Sequence, residues 1–153
     1  MQIRLYEGDR EALRPHFRLA DDSEQEIDAY LGEGDVLAAV DGDEIVGYLQ
    51  LVASEEAGAV ELKSMAVIEA RRGAGAGRAL VEAAVHRCRE RGAARLLVAT
   101  AAADTGNLRF YQLQGFRMLR IERDAFGPEA GYAQGIVIDG IPLQDRVWLD
   151  RDL

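Results

Sequence analysis

Residue types and spacing point to chemistry first in the run Arg71-Arg72-Gly73-Ala74-Gly75-Ala76-Gly77-Arg78. It stands between a strand-like apolar stretch, Leu62 to Ile68, and a helix-like stretch, Ala79 to Arg91. Glycine at three alternate positions removes the side chains that would hold a ligand off the backbone. A turn of this kind opening a helix presents unpaired N–H groups and the positive end of the helix dipole. Phosphate binds at such a place, and Arg72 and Arg78 bring charge beside it. The run reads as a pyrophosphate cradle.

Two common nucleotide motifs do not fit. A P-loop closes on Gly-Lys-Ser/Thr, whereas Gly77 is followed by Arg78 and Ala79. The Rossmann fingerprint needs a third glycine three residues after the second, and Arg78 stands there. The chain carries instead Arg72-x-x-Gly75-x-Gly77 directly after the segment Glu61 to Val67, and later Tyr111-Gln112-Leu113-Gln114-Gly115-Phe116. On these residues it resembles the GNAT superfamily of acetyl-CoA-dependent N-acyltransferases. That superfamily carries Gln/Arg-x-x-Gly-x-Gly/Ala after its fourth strand and Tyr-x-x-x-Gly-Phe after its fifth. The tail from Asp124 onward, with Asp139-Gly140-Ile141 and Asp145-Arg146-Val147, is similar to a small bacterial branch of it.

The resemblance implies an α/β (α+β) fold: a twisted mixed sheet of about seven strands with about four helices, and an acetyl-CoA wedge between strands four and five. It implies acetyl transfer from acetyl-CoA to a primary amine, on a small molecule or a peptide, by direct attack. Amine attack needs a proton acceptor, and Glu61 takes that role, directly or through water. The departing thiolate needs a proton, which a phenol of reference pKa about 10 can supply, and Tyr111 stands at the family's position. By the same correspondence the N–H of Met65 serves the developing oxyanion, and Met65, Ala66 and Val67 run along the pantetheine arm. Arg72, Gly73, Ala74, Gly75, Ala76, Gly77 and Arg78 hold the pyrophosphate. The family's asparagine seven residues before the tyrosine is replaced by Asp104, and Asn107 is carried over as the coenzyme A contact instead. The acceptor region falls at about Phe17 to Tyr30 and Phe126 to Ile141. A non-catalytic acyl-CoA-binding domain is the alternative, but binding alone needs neither Glu61 nor Tyr111. A longer acyl donor is limited by the bulk around Met65.

The elements that must position these residues follow from patterning. Gln2 to Tyr6 predicts a strand, and Glu11 to Ala20 a helix with Leu13, Phe17 and Ala20 on one face. Ser23-x-x-Glu26 is a capping box for a second helix through about Leu31. Val36 to Val40 and Glu44 to Ala53 form a hairpin about Asp41-Gly42-Asp43. Alternation along Ile45, Gly47, Leu49 and Leu51 gives the second strand one buried face. Val60 to Ile68 is a fourth strand, Ala76 to Arg91 a helix, and Arg95 to Thr100 a buried parallel strand. Asn107 to Gln114 is a short helix and Phe116 to Glu122 a strand. Asp124 to Gln134 is a loop, followed by extended pairing at Ile136 to Ile138, Ile141, and Asp145 to Leu149.

Composition sets outer bounds. The 153 residues make one domain, spanning 1–153, with room for a proper core. Net charge is −9, from 27 acidic and 18 basic residues, which repels nucleic acid. No apolar run reaches a membrane span and the N-terminus lacks signal-peptide regions, so a cytoplasmic protein is expected. Cys88 is the only cysteine, and with His16 and His86 scattered no metal site is expected. Cys88 lies on an apolar helix face as packing, and both histidines read as helix-surface residues. The long tail leaves a homodimer as an expectation.

Overall fold

The structure, a computed structural model, describes residues 1–153. A seven-stranded sheet runs β1 (Gln2–Leu5), β2 (Asp35–Asp41), β3 (Glu44–Ala53), β4 (Ala59–Val67), β5 (Arg95–Ala101), β9 (Arg146–Asp152), β6 (Arg117–Glu122) across its width. All neighbours are antiparallel except β4 and β5. A small ribbon, β7 (Val137–Ile138) with β8 (Ile141–Pro142), lies apart from it. The last strand inserts between β5 and β6, which the order of elements along the chain does not announce. No helix is long and apolar enough to cross a membrane.

Each face of the sheet has its own core. On one, α3 (Ala76–Glu90) buries Leu80, Val81, Ala84, Val85 and Cys88 against Leu49, Leu51, Leu62 and Leu96. This is the stripe that the helical periodicity predicts, with Arg78, Glu82 and Arg89 outside. Gly92 ends the helix at φ 77°; its N–H donates to Arg89 O, and that of Ala93 to Cys88 O, a Schellman cap. Burial pushes the Cys88 thiol up, so packing accounts for it. On the other face, the turn Arg10–Leu13, α1 (Arg14–Phe17) and α2 (Glu24–Tyr30) bury Leu13, Phe17, Ile27 and Tyr30 against Val36 and Tyr48. Phe17 stacks on Tyr48 with ring centroids 4.3 Å apart.

Three expectations need correction. The predicted helix over Glu11 to Ala20 is instead a 3-10 turn, Arg10–Leu13, joined to the single turn of α1. Pro15 has no N–H to continue an α-helical ladder from Glu11, so the helix restarts at Arg14; Ala20 is exposed. β3 is buried on both faces, because helices cover both. A bulge at Val46 shifts its alternation, so that Ile45 packs with the α1–α2 core while Val46 joins Leu49 and Leu51. His16 is not a free surface residue: its Nε2 meets Ile45 O at 3.1 Å and ties α1 to β3. His86 is exposed and pairs with Glu90.

Candidate functional site

The site begins where β4 stops pairing. β4 and β5 are bonded only between Ala59–Leu62 and Arg95–Val98. Lys63 is the extra residue of a bulge against β3, between the pairs Leu51–Leu62 and Gln50–Ser64. Beyond it β4 continues to Val67 with β3 alone, while β5 keeps β9 along its full length. The sheet is split here, and the freed edge of β4 from Lys63 to Val67 faces a gap.

The glycine-rich run lies at the end of that edge. A 3-10 turn, Glu69–Arg71, leads into Gly73 at φ 81° and Gly75 at φ 91°, left-handed values that favour glycine. Gly75 is the N-cap of α3, and no side chain caps that end, so the N–H groups of the first turn remain free for a ligand. A Cβ on Gly77 would stand 3.1 Å from Met65 Cε and 3.2 Å from Phe110 Cζ; glycine there lets β4, α3 and α4 (Thr105–Leu113) close together. Arg72 Nε donates to Val67 O at 3.1 Å, while Arg71 pairs with Asp41 and Arg78 with Glu82. Together the β4 edge, the run and α4 line a cavity of about 380 Å³.

Tyr111 lies at its inner end, for a local reason. Gly115, at φ 88°, donates its N–H to Gln112 O, and Phe116 donates to Tyr111 O, a second Schellman cap. The spacing Tyr111-x-x-x-Gly115-Phe116 is that cap: Tyr111 three residues inside the helix end, Phe116 just past it, their rings 5.6 Å apart at 73°. The cap fixes the ring and leaves the hydroxyl aimed across the gap. Its hydrogen-bond partner is Met65 Sδ at 3.9 Å, a weak acceptor. Burial raises the pKa of this phenol, which stays protonated at neutral pH.

A second cavity, of about 180 Å³, opens on the far side of Tyr111. Met65, Asn107 and Tyr111 line both cavities and form the junction. Glu61 lines the second, its side chain 18% exposed and its nearest cation, Lys63 Nζ, 4.0 Å away. Burial pushes the Glu61 carboxyl above its usual value, opposed by Lys63. The remaining walls come from distant segments: Asp21, Glu26 and Tyr30 about α2, Phe126 and Tyr132 from the β6–β9 connection, Arg146 and Trp148 on β9.

Every residue carried over by the resemblance lines one cavity or both, except Ala74, which sits exposed at the outer tip between Gly73 and Gly75. Asp104 has a different use: its Oδ1 caps α4 by accepting the N–H of Asn107 at 3.0 Å. Asn107 Nδ2 then reaches Thr100 Oγ1 at 3.4 Å. Sequence reasoning missed Phe110, Lys63, Ser64, Leu143, Arg146 and Trp148. Alternation on the final strand, Arg146 then Trp148 (the chain's only tryptophan), was an available signal for the last two. Phe17, placed at the edge of the acceptor region, is instead fully buried in the core.

The chain is similar to known proteins over nearly its whole length. A Bacillus subtilis (strain 168) protein, "Uncharacterized N-acetyltransferase YvbK", is 32% identical over 153 residues, covering 100% of this chain and 97% of its own. The crystal structure of a Bacillus subtilis acetyltransferase in complex with CoA superposes with a TM-score of 0.89 at 32% identity, over 99% of this chain and 98% of that one. A GNAT family acetyltransferase from Elizabethkingia anophelis with acetyl-CoA bound gives 0.89 at 28% identity, over 99% and 97%. Residues 3–116, which hold the split sheet, the glycine-rich run and the Tyr111 cap, match the family described as "Acetyltransferase (GNAT) family". With that match and a relative aligned from end to end, the chain belongs to the GNAT acetyltransferase family.

Proposed function

We propose that the protein transfers the acetyl group of acetyl-CoA to a primary amine by direct attack, with both substrates bound together. The observation that carries this reading is the pair of cavities meeting at Met65, Asn107 and Tyr111, with Glu61 on one side and the uncapped α3 terminus on the other. Two features fit coenzyme A: free N–H groups and αL glycines for a pyrophosphate, and an unpaired strand edge for an amide-bearing arm. Bound acetyl-CoA supplies an activated thioester carbonyl.

The chain's own residues do the rest. Glu61, on the acceptor side, takes a proton from the attacking nitrogen, directly or through a water. Burial raises its pKa, which makes it a better base than an exposed glutamate. The N–H of Met65 stabilises the carbonyl oxygen as charge gathers there. Tyr111 gives its proton to the leaving sulfur; giving up the weak bond to Met65 Sδ costs it little. The acceptor cavity favours a cation: Asp21, Asp22, Glu26, Glu61 and Asp104 line it against Lys63 and Arg146.

The test is release of free thiol from acetyl-CoA in the presence of a broad panel of amines. Release above background hydrolysis with at least one amine supports the reading. Tight acetyl-CoA binding with no release on any amine would leave a non-catalytic binding domain.

A further inference from the structure

Asp21 lines the acceptor cavity, and both its carboxylate oxygens are already engaged within the protein. Oδ1 accepts from the Tyr132 hydroxyl at 2.7 Å and from the Ser23 N–H at 3.0 Å. Oδ2 accepts from the Tyr30 hydroxyl at 2.8 Å. Tyr30 stands on α2, whereas Tyr132 belongs to the connection between β6 and β9, 111 residues along the chain from Asp21. Two further bonds tie the same segments: Ser23 Oγ donates to Ala130 O at 2.6 Å, and Gln25 Nε2 to Glu129 O at 3.1 Å. The approach is close, since a Cβ on Gly131 would fall 2.7 Å from Ser23 Oγ.

The connection has little else to hold it. Between Arg123 and Asp145 the only buried side chain is Tyr132, the one that donates to Asp21. Phe126 packs edge-on against Tyr132 with centroids 5.2 Å apart, and both rings line the acceptor cavity. Arg146, stacked 4.9 Å from the Phe126 ring, is the contact from the sheet side. This wall is therefore held to the α2 region by hydrogen bonds, one of them to the Asp21 carboxylate, more than by apolar burial. A carboxylate receiving two phenols forms charge-assisted bonds, stronger than neutral ones. Burial raises both phenols, followed in each by the neighbouring Asp21, so both remain donors through the neutral range.

We infer that Asp21 is a positioning residue for the acceptor: through Tyr30 and Tyr132 it pins the Phe126–Tyr132 wall over the acceptor cavity without itself binding the amine. This rests on the reading that the amine enters that cavity. Oδ1 already accepts two bonds and Oδ2 one, so a direct ion pair with substrate would have only the second lone pair of Oδ2. A direct ligand and a latch then differ in what Tyr132 does. If Asp21 bound the amine, freeing it with Tyr132→Phe would leave acceptor affinity unchanged or improve it.

The experiment compares wild type, Asp21→Asn, Tyr132→Phe and the double variant, with an amine found in the thiol-release panel and with hydrogen exchange in the absence of substrate. Each single variant should raise the acceptor KM about tenfold, the scale of one charge-assisted bond, and leave the acetyl-CoA KM in place. The double variant should be no worse than the more affected single one, because both remove the same latch. Amide exchange over residues 126–132 should rise in each variant while that of residues 80–90 in α3 holds, a control that also reports folding. Unchanged acceptor KM and unchanged exchange in Tyr132→Phe would overturn the latch. An acceptor KM that rises for Asp21→Asn alone would overturn it in favour of direct binding. If wild type turns over no amine, the acetyl-transfer reading fails, and the acceptor role with it, whatever the exchange shows.

Discussion

The two cavities that meet at Tyr111 are built from different materials. The larger is made of backbone: the free edge of β4, two left-handed glycines and an uncapped helix terminus, nearly all from residues 65–78. The smaller is made of side chains from α2, β4, β5, the β6–β9 connection and β9, closed by bonds between residues more than a hundred apart. A backbone site presents the same groups whatever the neighbouring side chains are, which suits an invariant cosubstrate. A side-chain site changes with each substitution on its walls, which suits the more variable partner of the proposed reaction. The junction belongs to both, and a change there should disturb chemistry more than the binding of either partner.

Tyr111→Phe therefore carries the largest expected effect. It removes only the hydroxyl and keeps the ring packing on Phe110 and Phe116. Turnover should fall about a hundredfold with acetyl-CoA affinity unchanged, as lost general-acid assistance would give. A fall in melting temperature with normal turnover would make the hydroxyl structural and erase the junction from the comparison.

Glu61→Gln should lower turnover about tenfold at neutral pH, more at low pH where the amine is held as ammonium, and less at high pH. The sign of the pH effect follows from burial, which raises the Glu61 pKa in the folded state. The ionised form accepts the proton, so the acid limb of wild-type kcat/KM should lie above the usual glutamate value, and the variant's deficit should narrow again once pH falls below that limb. A raised folded pKa adds stability that is fully present below the unfolded value and lost as pH rises through the folded one. The variant's melting temperature should accordingly match or exceed wild type at pH 7, with that advantage shrinking toward pH 4. Wild-type turnover in Glu61→Gln across the range would hand the proton to another group.

Gly75→Val addresses the backbone side alone. Nothing lies within 4 Å of the position a Cβ would take, so no protein contact is lost, but φ is 91°. Forcing a branched residue there costs about 1 to 3 kcal/mol of strain or re-aims the first N–H groups of α3. Acetyl-CoA affinity by calorimetry should fall about tenfold while the acceptor KM holds. Equal losses for both substrates would mean the two cavities are not separate.

Ser23→Ala has the smallest expected effect and falls on the acceptor side. Ser23 is fully buried, caps α2 through the Glu26 N–H at 3.2 Å, and donates to Ala130 O. Its loss should cost about 1 to 2 kcal/mol of stability, read as a drop of several degrees in melting temperature. Acetyl-CoA affinity should not change. A shift there would couple α2 to the far cavity.

How much could be read from the chain varied with distance along it. The Ser23 cap, the α3 stripe, the hairpin and the glycine-rich run are all set by residues within about four positions and appear as expected, save that the Ser23 N–H donates to Asp21 where a full capping box would use Glu26. The same holds for Tyr111-x-x-x-Gly115-Phe116, a helix cap with a tyrosine at its inner contact. The first helix failed because Leu13 and Phe17 keep helical spacing while Pro15 interrupts the ladder between them. Alternation puts Ile45 on the Leu49 face, but the bulge at Val46, which leaves no mark in hydrophobic alternation, turns it to the other.

By itself, then, the sequence determined the segments that carry their own geometry: caps, turns, the cradle, and the tyrosine held beside it. Tertiary structure alone decided where β4 parts from β5, that the final strand inserts between β5 and β6, and which side chains line the smaller cavity. The physical reason is range. Backbone dihedrals and i to i+4 hydrogen bonds are fixed by neighbours, whereas the Asp21 latch pairs a carboxylate with a phenol 111 residues away and exists only once the sheet has brought them together.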